Sequence, residues 1–164
     1  MVRILVMSDT HLDQLTPGIP DIVLHEIKNC DLVIHAGDFT GEGCYRQLSS
    51  LADVTAVQGN MDCAAISGLL PVKLLTTVEN IRIGVVHGTG SPQRALQYAR
   101  SSFQATDIIV FGHSHQPLNQ HVNDVLMFNP GSPTDSRRAD FPTYGIIEIN
   151  NDRFQAKIVT VEGL

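Results

Sequence analysis

Five short apolar runs in this chain stop in the same manner, at Asp, Asn or His and mostly beside glycine. The run 2–8 (VRILVMS) leads into Ser8-Asp9-Thr10-His11, 31–37 (DLVIHAG) into Gly37-Asp38, and 54–59 (VTAVQG) into Gly59-Asn60. Further on, IRIGVVH ends in His87-Gly88, and 107–112 (DIIVFG) ends in Gly112-His113-Ser114-His115. Runs this short, apolar and β-branched fit strands buried on both faces. Helical patterns separate the first three. Segment 20–29 (PDIVLHEIKN) starts with a proline and an aspartate and carries Ile22, Val23 and Ile27; segment 42–51 (EGCYRQLSSL) follows the second strand. A β-α-β-α-β order implies parallel strands with right-handed crossovers.

The second half reads differently. VKLLTTV and IRIGVVH flank Glu79-Asn80 at hairpin spacing, a proline-started helix is expected at 91–104, and two more hairpins turn near Asn123-Asp124 and at Asn150-Asn151-Asp152. Parallel units followed by hairpins suggest an α/β fold of two mixed sheets packed face to face with helices outside. Residues 1–164 contain no repeat or linker and are expected to form one domain, long enough to bury roughly 70% of the surface of the unfolded chain.

Composition excludes several classes of function. Hydrophobic residues are 43% and charged residues 17%, too apolar for a disordered chain. A net charge of −6 without any lysine or arginine run leaves no broad footprint for long nucleic acids or an anionic membrane. The opening apolar run is too short for a signal-peptide core, and no segment is long enough to span a bilayer. The three cysteines Cys30, Cys44 and Cys63 lack C-x-x-C spacing, which argues against a disulfide framework or a cysteine zinc site and suits a reducing cytoplasm.

Ligands of α/β sheets bind beyond the carboxyl ends of strands, so the five endings are expected to converge. Residues two apart on an extended strand project to one side, which lets Asp9 and His11 reach one cation and His113 and His115 face a common site. Imidazole and carboxylate donors without sulfur suit Mn²⁺, Fe²⁺, Zn²⁺ or Ni²⁺ and disfavour Cu⁺.

The ordered series D-x-H, G-D, G-N, H-G, G-H-x-H, from Asp9 to His115, resembles the calcineurin-like metallophosphoesterases, in particular their small members. The resemblance implies a four-layer α-β-β-α sandwich. It also implies that Asp9, His11 and His115 hold one divalent ion, that Asn60, His87 and His113 hold a second, and that Asp38 bridges both through its two oxygens. Manganese is the first expectation, with nickel, iron and zinc as alternatives. The reaction implied is hydrolysis of a small phosphodiester by attack of a metal-bridging hydroxide, with Asp38, Asn60 and His87 acting through the bound hydroxide and phosphate. Two such ions, two carboxylates and one hydroxide leave a formal +1, which one phosphodiester anion neutralises.

One departure from the pattern stands out. Relatives often read G-N-H-D after the third strand, where the histidine can protonate the leaving group; here the segment is Gly59-Asn60-Met61-Asp62. Methionine has no proton to give, so the chain is expected either to favour esters with good leaving groups or to use another donor, Asp62 or a metal-bound water. Arg137 and Arg138 are candidate phosphate contacts through their bidentate geometry. Asn129-Pro130-Gly131-Ser132 reads as a structural turn or a substrate contact, and His35 as a buried, hydrogen-bonded histidine. His25 and His121 read as surface residues. The apolar 64–72 loop (AAISGLLPV) offers a homodimer contact, a higher-order contact or a pocket wall.

Competing readings are a phosphomonoesterase at the same site and a catalytically silent protein scaffold, as in a retromer subunit of this fold that has lost part of the ligand set. A nuclease is disfavoured by the missing basic groove. A dinucleotide-binding domain fails at the first turn, which lacks G-x-G-x-x-G.

Overall fold

A computed structural model describes residues 1–13, 18–135 and 139–161. Strand β1 (Val2–Met7) is followed by α1 (Asp21–Ile27), β2 (Leu32–His35), α2 (Glu42–Leu51) and β3 (Val54–Ala56). Then come α3 (Ala64–Leu69), the hairpin β4 (Lys73–Val78) and β5 (Ile81–Val86), α4 (Pro92–Ser101) and β6 (Ile108–Phe111). Two hairpins complete the order, β7 (Leu118–Val122) with β8 (Val125–Asn129) and β9 (Thr143–Asn150) with β10 (Arg153–Thr160).

The strands form two five-stranded sheets, ordered β10-β9-β1-β2-β3 and β4-β5-β6-β8-β7. In the first, β1, β2 and β3 are parallel and β9 and β10 antiparallel. In the second, β5, β6 and β8 are parallel and the edge strands β4 and β7 antiparallel, so both sheets are mixed, as expected. All three hairpins turn on two residues. Glu79, Asn123 and Asn151 take the left-handed backbone that tight hairpins require, with φ of 52°, 55° and 57°.

Alternation along the strands divides the apolar side chains into three cores. Ile4, Val6, Ile34, Ile83, Val85, Ile108 and Val110 point into the space between the sheets, where Phe128 and Ile147 join them. Their neighbours Leu5, Met7 and Val33 face outward against Val23 and Ile27 of α1, Leu48 of α2 and Ile66 of α3. On the far side, Val86, Ile109, Phe111 and Met127 meet Ala95 and Ala99 of α4. Continuous apolar runs such as Ile108–Phe111 are needed because both faces are covered. Each such side chain contributes about 1.5–3 kcal/mol of burial. The result is four layers, helix-sheet-sheet-helix.

Two local expectations change. Ile22 is 43% exposed, because the buried stripe of this short helix is Val23 and Ile27. The 64–72 segment contains α3 rather than being loop throughout, with Ile66 on the core and Leu69 and Val72 left 61% and 59% exposed.

Candidate metal centre

In both sheets the parallel strands end on the same side of the molecule, and the polar residues that follow them meet there. Backbone bonds tie the endings together: Asp9 N–H donates to Gly37 C=O at 2.9 Å, His11 N–H to Asp38 C=O at 3.0 Å, and Gly112 N–H to His87 C=O at 2.8 Å. The side chains lie at the floor and wall of a cleft of about 640 Å³ lined by His11, Asp38, Asn60, Met61, His113 and His115.

All seven sequence-selected donors come together there, in two linked sets. In one, His11 Nε2 is 3.2 Å from His115 Nε2, and His115 Nε2 is 3.5 Å from Asp9 Oδ1. In the other, Asn60 Oδ1 is 3.2 Å from His87 Nε2 and 2.9 Å from His113 Nδ1. Asp38 joins them through Oδ2, which lies 3.6 Å from His11 Nε2 and 3.3 Å from His87 Nε2. Its other oxygen accepts from Met61 N–H at 2.8 Å. Oδ2 is thus the Asp38 oxygen that lies near both sets. Metal–ligand bonds of about 2.0–2.2 Å allow two donors of one ion to stand up to about 4.4 Å apart, and every distance here is shorter. Asp9, His11 and His115 form one group suited to an ion; Asp9, Asp38 and His87 form another.

The backbone that achieves this is not extended. Asp9, His11, Asp38, His113 and His115 have φ of 54°, 45°, 62°, 69° and 57°. Each turn carries its side chain inward after the strand has ended, and His113 and His115 part company, one toward Asn60 and the other toward His11. Non-glycine residues held in this region cost of order 1–3 kcal/mol each, so the surrounding hydrogen bonds must enforce them. Glycine makes the close approaches feasible. A Cβ on Gly59 would stand 2.1 Å from Asp38 Oδ1, and one on Gly112 would stand 2.8 Å from Asp9 Oδ2.

Several residues brace the donors. Asp62 accepts from Thr40 N–H at 2.8 Å and from Gly59 N–H at 2.7 Å, tying the loop of Asp38 to the loop of Asn60. Each Asp62 oxygen thus accepts one backbone N–H, and the side chain braces the two loops. Asn129 donates to Gly112 C=O and Ser114 Oγ, both at 3.0 Å, and accepts from Gly131 N–H. Asn129 and Ser132 are buried, and their hydrogen bonds give this turn a structural role. Ser132 Oγ and Thr134 Oγ1 donate to the carbonyls of Asp9 and Thr10, each at 2.7 Å. His115 Nδ1 donates to Asp135 Oδ2 at 2.8 Å, His87 Nδ1 to Ala36 C=O at 2.8 Å, and His113 Nε2 to Gly90 C=O at 3.0 Å. These bonds fix the tautomers so that the remaining ring nitrogens face the cleft. Asp135 escapes sequence reasoning, because a lone aspartate in a turn looks like any other turn former.

Burial and neighbouring charge shape the protonation of the buried donors. Burial drives the Asp9 carboxyl up to about 7, against the pull of His87 and the Ser8 hydroxyl. Burial also opposes ionisation of Asp38, yet its hydrogen bond and charge interaction with His87, with Met61 N–H, hold it below the usual carboxylate range. For His87, burial is outweighed by Asp38 and Asp9, and its pKa rises. Burial thus leaves the charged form of Asp9 short of solvation, a cost that a cation bound beside it would offset.

His35 is fully buried beneath the site. Its Nε2 meets Thr10 Oγ1 at 3.1 Å, its Nδ1 accepts from Gly37 N–H at 3.2 Å, and its ring stacks on Phe39 with centroids 3.6 Å apart. His25 and His121 are exposed, as is Cys63. Arg137 and Arg138 lie outside the described residues.

Residues 2–152 match the calcineurin-like phosphoesterase superfamily domain. A probable metallophosphoesterase of Methanothermobacter thermautotrophicus is 35% identical over 158 residues, covering 94% of this chain and 90% of that one. A phosphodiesterase of Methanocaldococcus jannaschii is 27% identical over 166 residues, covering 94% and 97%. Among solved structures, Vps29 of Entamoeba histolytica complexed with zinc superposes with a TM-score of 0.75 at 25% identity, over 96% of this chain and 98% of that one.

Proposed function

This chain belongs to the calcineurin-like phosphoesterase superfamily, and on that premise we propose that it hydrolyses small phosphodiesters at a centre of two divalent cations. The observation that carries the reading is the convergence of seven oxygen and nitrogen donors from five strand ends, joined through a single oxygen of Asp38. The donor set fits the ions: three imidazoles and one amide are shared between the outer positions of two sites whose carboxylates are Asp9 and Asp38, with His115 completing the first. Asp9, His11 and His115 would hold one ion and Asn60, His87 and His113 the other. Nitrogen and oxygen donors without sulfur favour Mn²⁺, with Ni²⁺, Fe²⁺ and Zn²⁺ compatible in donor type.

Bound there, two such ions supply activation of water at neutral pH and neutralisation of charge on phosphoryl oxygens. The chain's own residues set everything else. Two carboxylates against two divalent charges leave the cleft formally positive with neutral imidazoles, so an anionic phosphate is drawn in although the chain carries −6 overall. Asp38 keeps the two sets at a fixed spacing, and Asp62 holds its loop against that of Asn60. Met61 is 57% exposed beside the cleft where relatives often carry a histidine, and it offers no proton to a departing alkoxide. Esters with good leaving groups are therefore the preferred substrates. A diester, with its single negative charge, suits the site better than a dianionic monoester. The free cysteines Cys30, Cys44 and Cys63 suit work in the reducing cytoplasm.

The test is metal content by elemental analysis combined with rates on nitrophenyl mono- and diesters in Mn²⁺, Ni²⁺, Zn²⁺ and Mg²⁺. Two ions per chain and faster diester turnover support the reading; faster monoester turnover would make the protein a phosphomonoesterase. The likeness to zinc-bound Vps29 means that metal uptake alone does not separate an enzyme from a scaffold. Metal-loaded protein without turnover on any ester would identify the scaffold.

A further inference from the structure

The histidines of the two donor sets lean on different partners. His87 and His113 each give their outer N–H to a backbone carbonyl, Ala36 and Gly90. His115 gives its Nδ1–H to a carboxylate, Asp135 Oδ2, at 2.8 Å, with both residues buried to 8–9% exposure. A carboxylate behind an imidazole fixes the tautomer, and it also adds negative charge that makes the far nitrogen a stronger donor.

Asp135 is itself held in register with the rest of that set. Its own N–H donates to Ser132 Oγ at 3.0 Å, and that hydroxyl donates to the carbonyl of Asp9. Thr134, the residue before it, donates to the carbonyl of Thr10. The segment 132–135 thus grips the loop bearing Asp9 and His11 by its backbone and the loop bearing His115 by its side chain. These loops come from different sheets and stand 104 positions apart in the chain.

Building on the two-cation reading, we infer that Asp135 is a positioning residue dedicated to the ion held by Asp9, His11 and His115. It makes that position the tighter of the two, so the protein fills its two sites in order, this one first. Asp135 touches neither substrate nor ion; it acts through His115. Outer partners of this kind typically govern metal affinity by about 10–100-fold.

The experiment uses the full chain with Mn²⁺ alone. Calorimetric titration of the metal-stripped wild type, D135N and D135A gives the affinities, and anomalous diffraction from crystals at limiting Mn²⁺ gives the occupancy of each position. D135N keeps an oxygen acceptor while losing the charge, and being close in shape it guards against a misfolded D135A. The expected result is a weaker tight step, by about 10-fold in D135N and up to about 100-fold in D135A. The weaker step stays unchanged, and the occupancy beside His115 falls selectively. Wild-type affinities in both variants, or equal loss at both positions, would overturn the inference while leaving the two-cation reading intact. A wild type that takes up no Mn²⁺ would overturn both.

Discussion

His11 and His115 face each other nitrogen to nitrogen, Nε2 to Nε2 at 3.2 Å, with their rings stacked 5.0 Å apart. Two ring nitrogens this close either share a proton or direct their lone pairs at one cation. Divalent metal is therefore expected to stabilise the fold: at a hundred times Kd, one ion adds about 2.7 kcal/mol, or roughly 5–10 °C in Tm for a chain of this size. Differential scanning fluorimetry with Mn²⁺, reversed by a chelator, measures this. H115A should retain only part of the shift.

Glycine at 59 is required by contact with a donor. A Cβ there stands 2.1 Å from Asp38 Oδ1 and 2.3 Å from Asp38 N, so G59A must displace the residue that links the two sets. We expect a loss of about 1–3 kcal/mol in urea unfolding, the scale of overpacking, together with loss of stoichiometric metal. Gly68, inside α3 with nothing within 4 Å, provides the contrast: G68A should gain up to about 1 kcal/mol and leave metal uptake alone.

Restoring a proton donor should restore range. M61H places an imidazole beside the cleft while keeping the backbone N–H that Asp38 accepts. Turnover of alkyl esters should rise, up to the 10²–10⁴-fold typical of general acid catalysis, with little change for nitrophenyl esters. Equal gains on both classes would mean that the departing group needs no such help.

Asp62 should matter for stability before chemistry. In D62N the amide nitrogen must face either Thr40 N–H or Gly59 N–H, donor against donor. A loss of about 1–3 kcal/mol is expected from the unsatisfied group. A pH–rate profile of D62N that keeps its shape marks this carboxylate as a brace alone; loss of the limb set by a general acid marks it as the proton donor.

Burial keeps the His35 pKa well below its ordinary value, with the charge of His87 adding to the effect. The folded state therefore refuses a proton that the unfolded chain accepts below about pH 6.5. The sign follows: neutral His35 costs nothing above that pH, and stability falls as pH drops beneath it, by up to about 1.4 kcal/mol per unit, until the folded pKa is reached. Urea midpoints of metal-stripped protein between pH 7 and pH 5 test this. The slope should be shallower in H35Q.

Much of the architecture is legible because burial on two faces leaves a plain mark. Ile108–Phe111 reads as one apolar run since alternate residues enter different cores. The donors are legible because histidine is an unusual residue for a turn, and four of the seven histidines, His11, His87, His113 and His115, fall in the motifs that follow the strands. Helix α3 is not legible: six residues with a glycine and one buried side chain, Ile66, are too few to show a period. The left-handed backbone at Asp9, His11, His113 and His115 is also hidden, because it is imposed by tertiary bonds rather than by local preference. That is why spacing alone suggests that His113 and His115 share a face when they in fact divide between the sets.

Each donor set draws from both sheets: Asp9 and His11 follow a strand of one and His115 a strand of the other, while Asn60 opposes His87 and His113 across the same seam. An ion seated in either set is thus a rivet through the two halves of the sandwich. Hollowing the interior far from the cleft, at Phe128 for instance, would let the halves drift and be felt first as a weakened grip on metal.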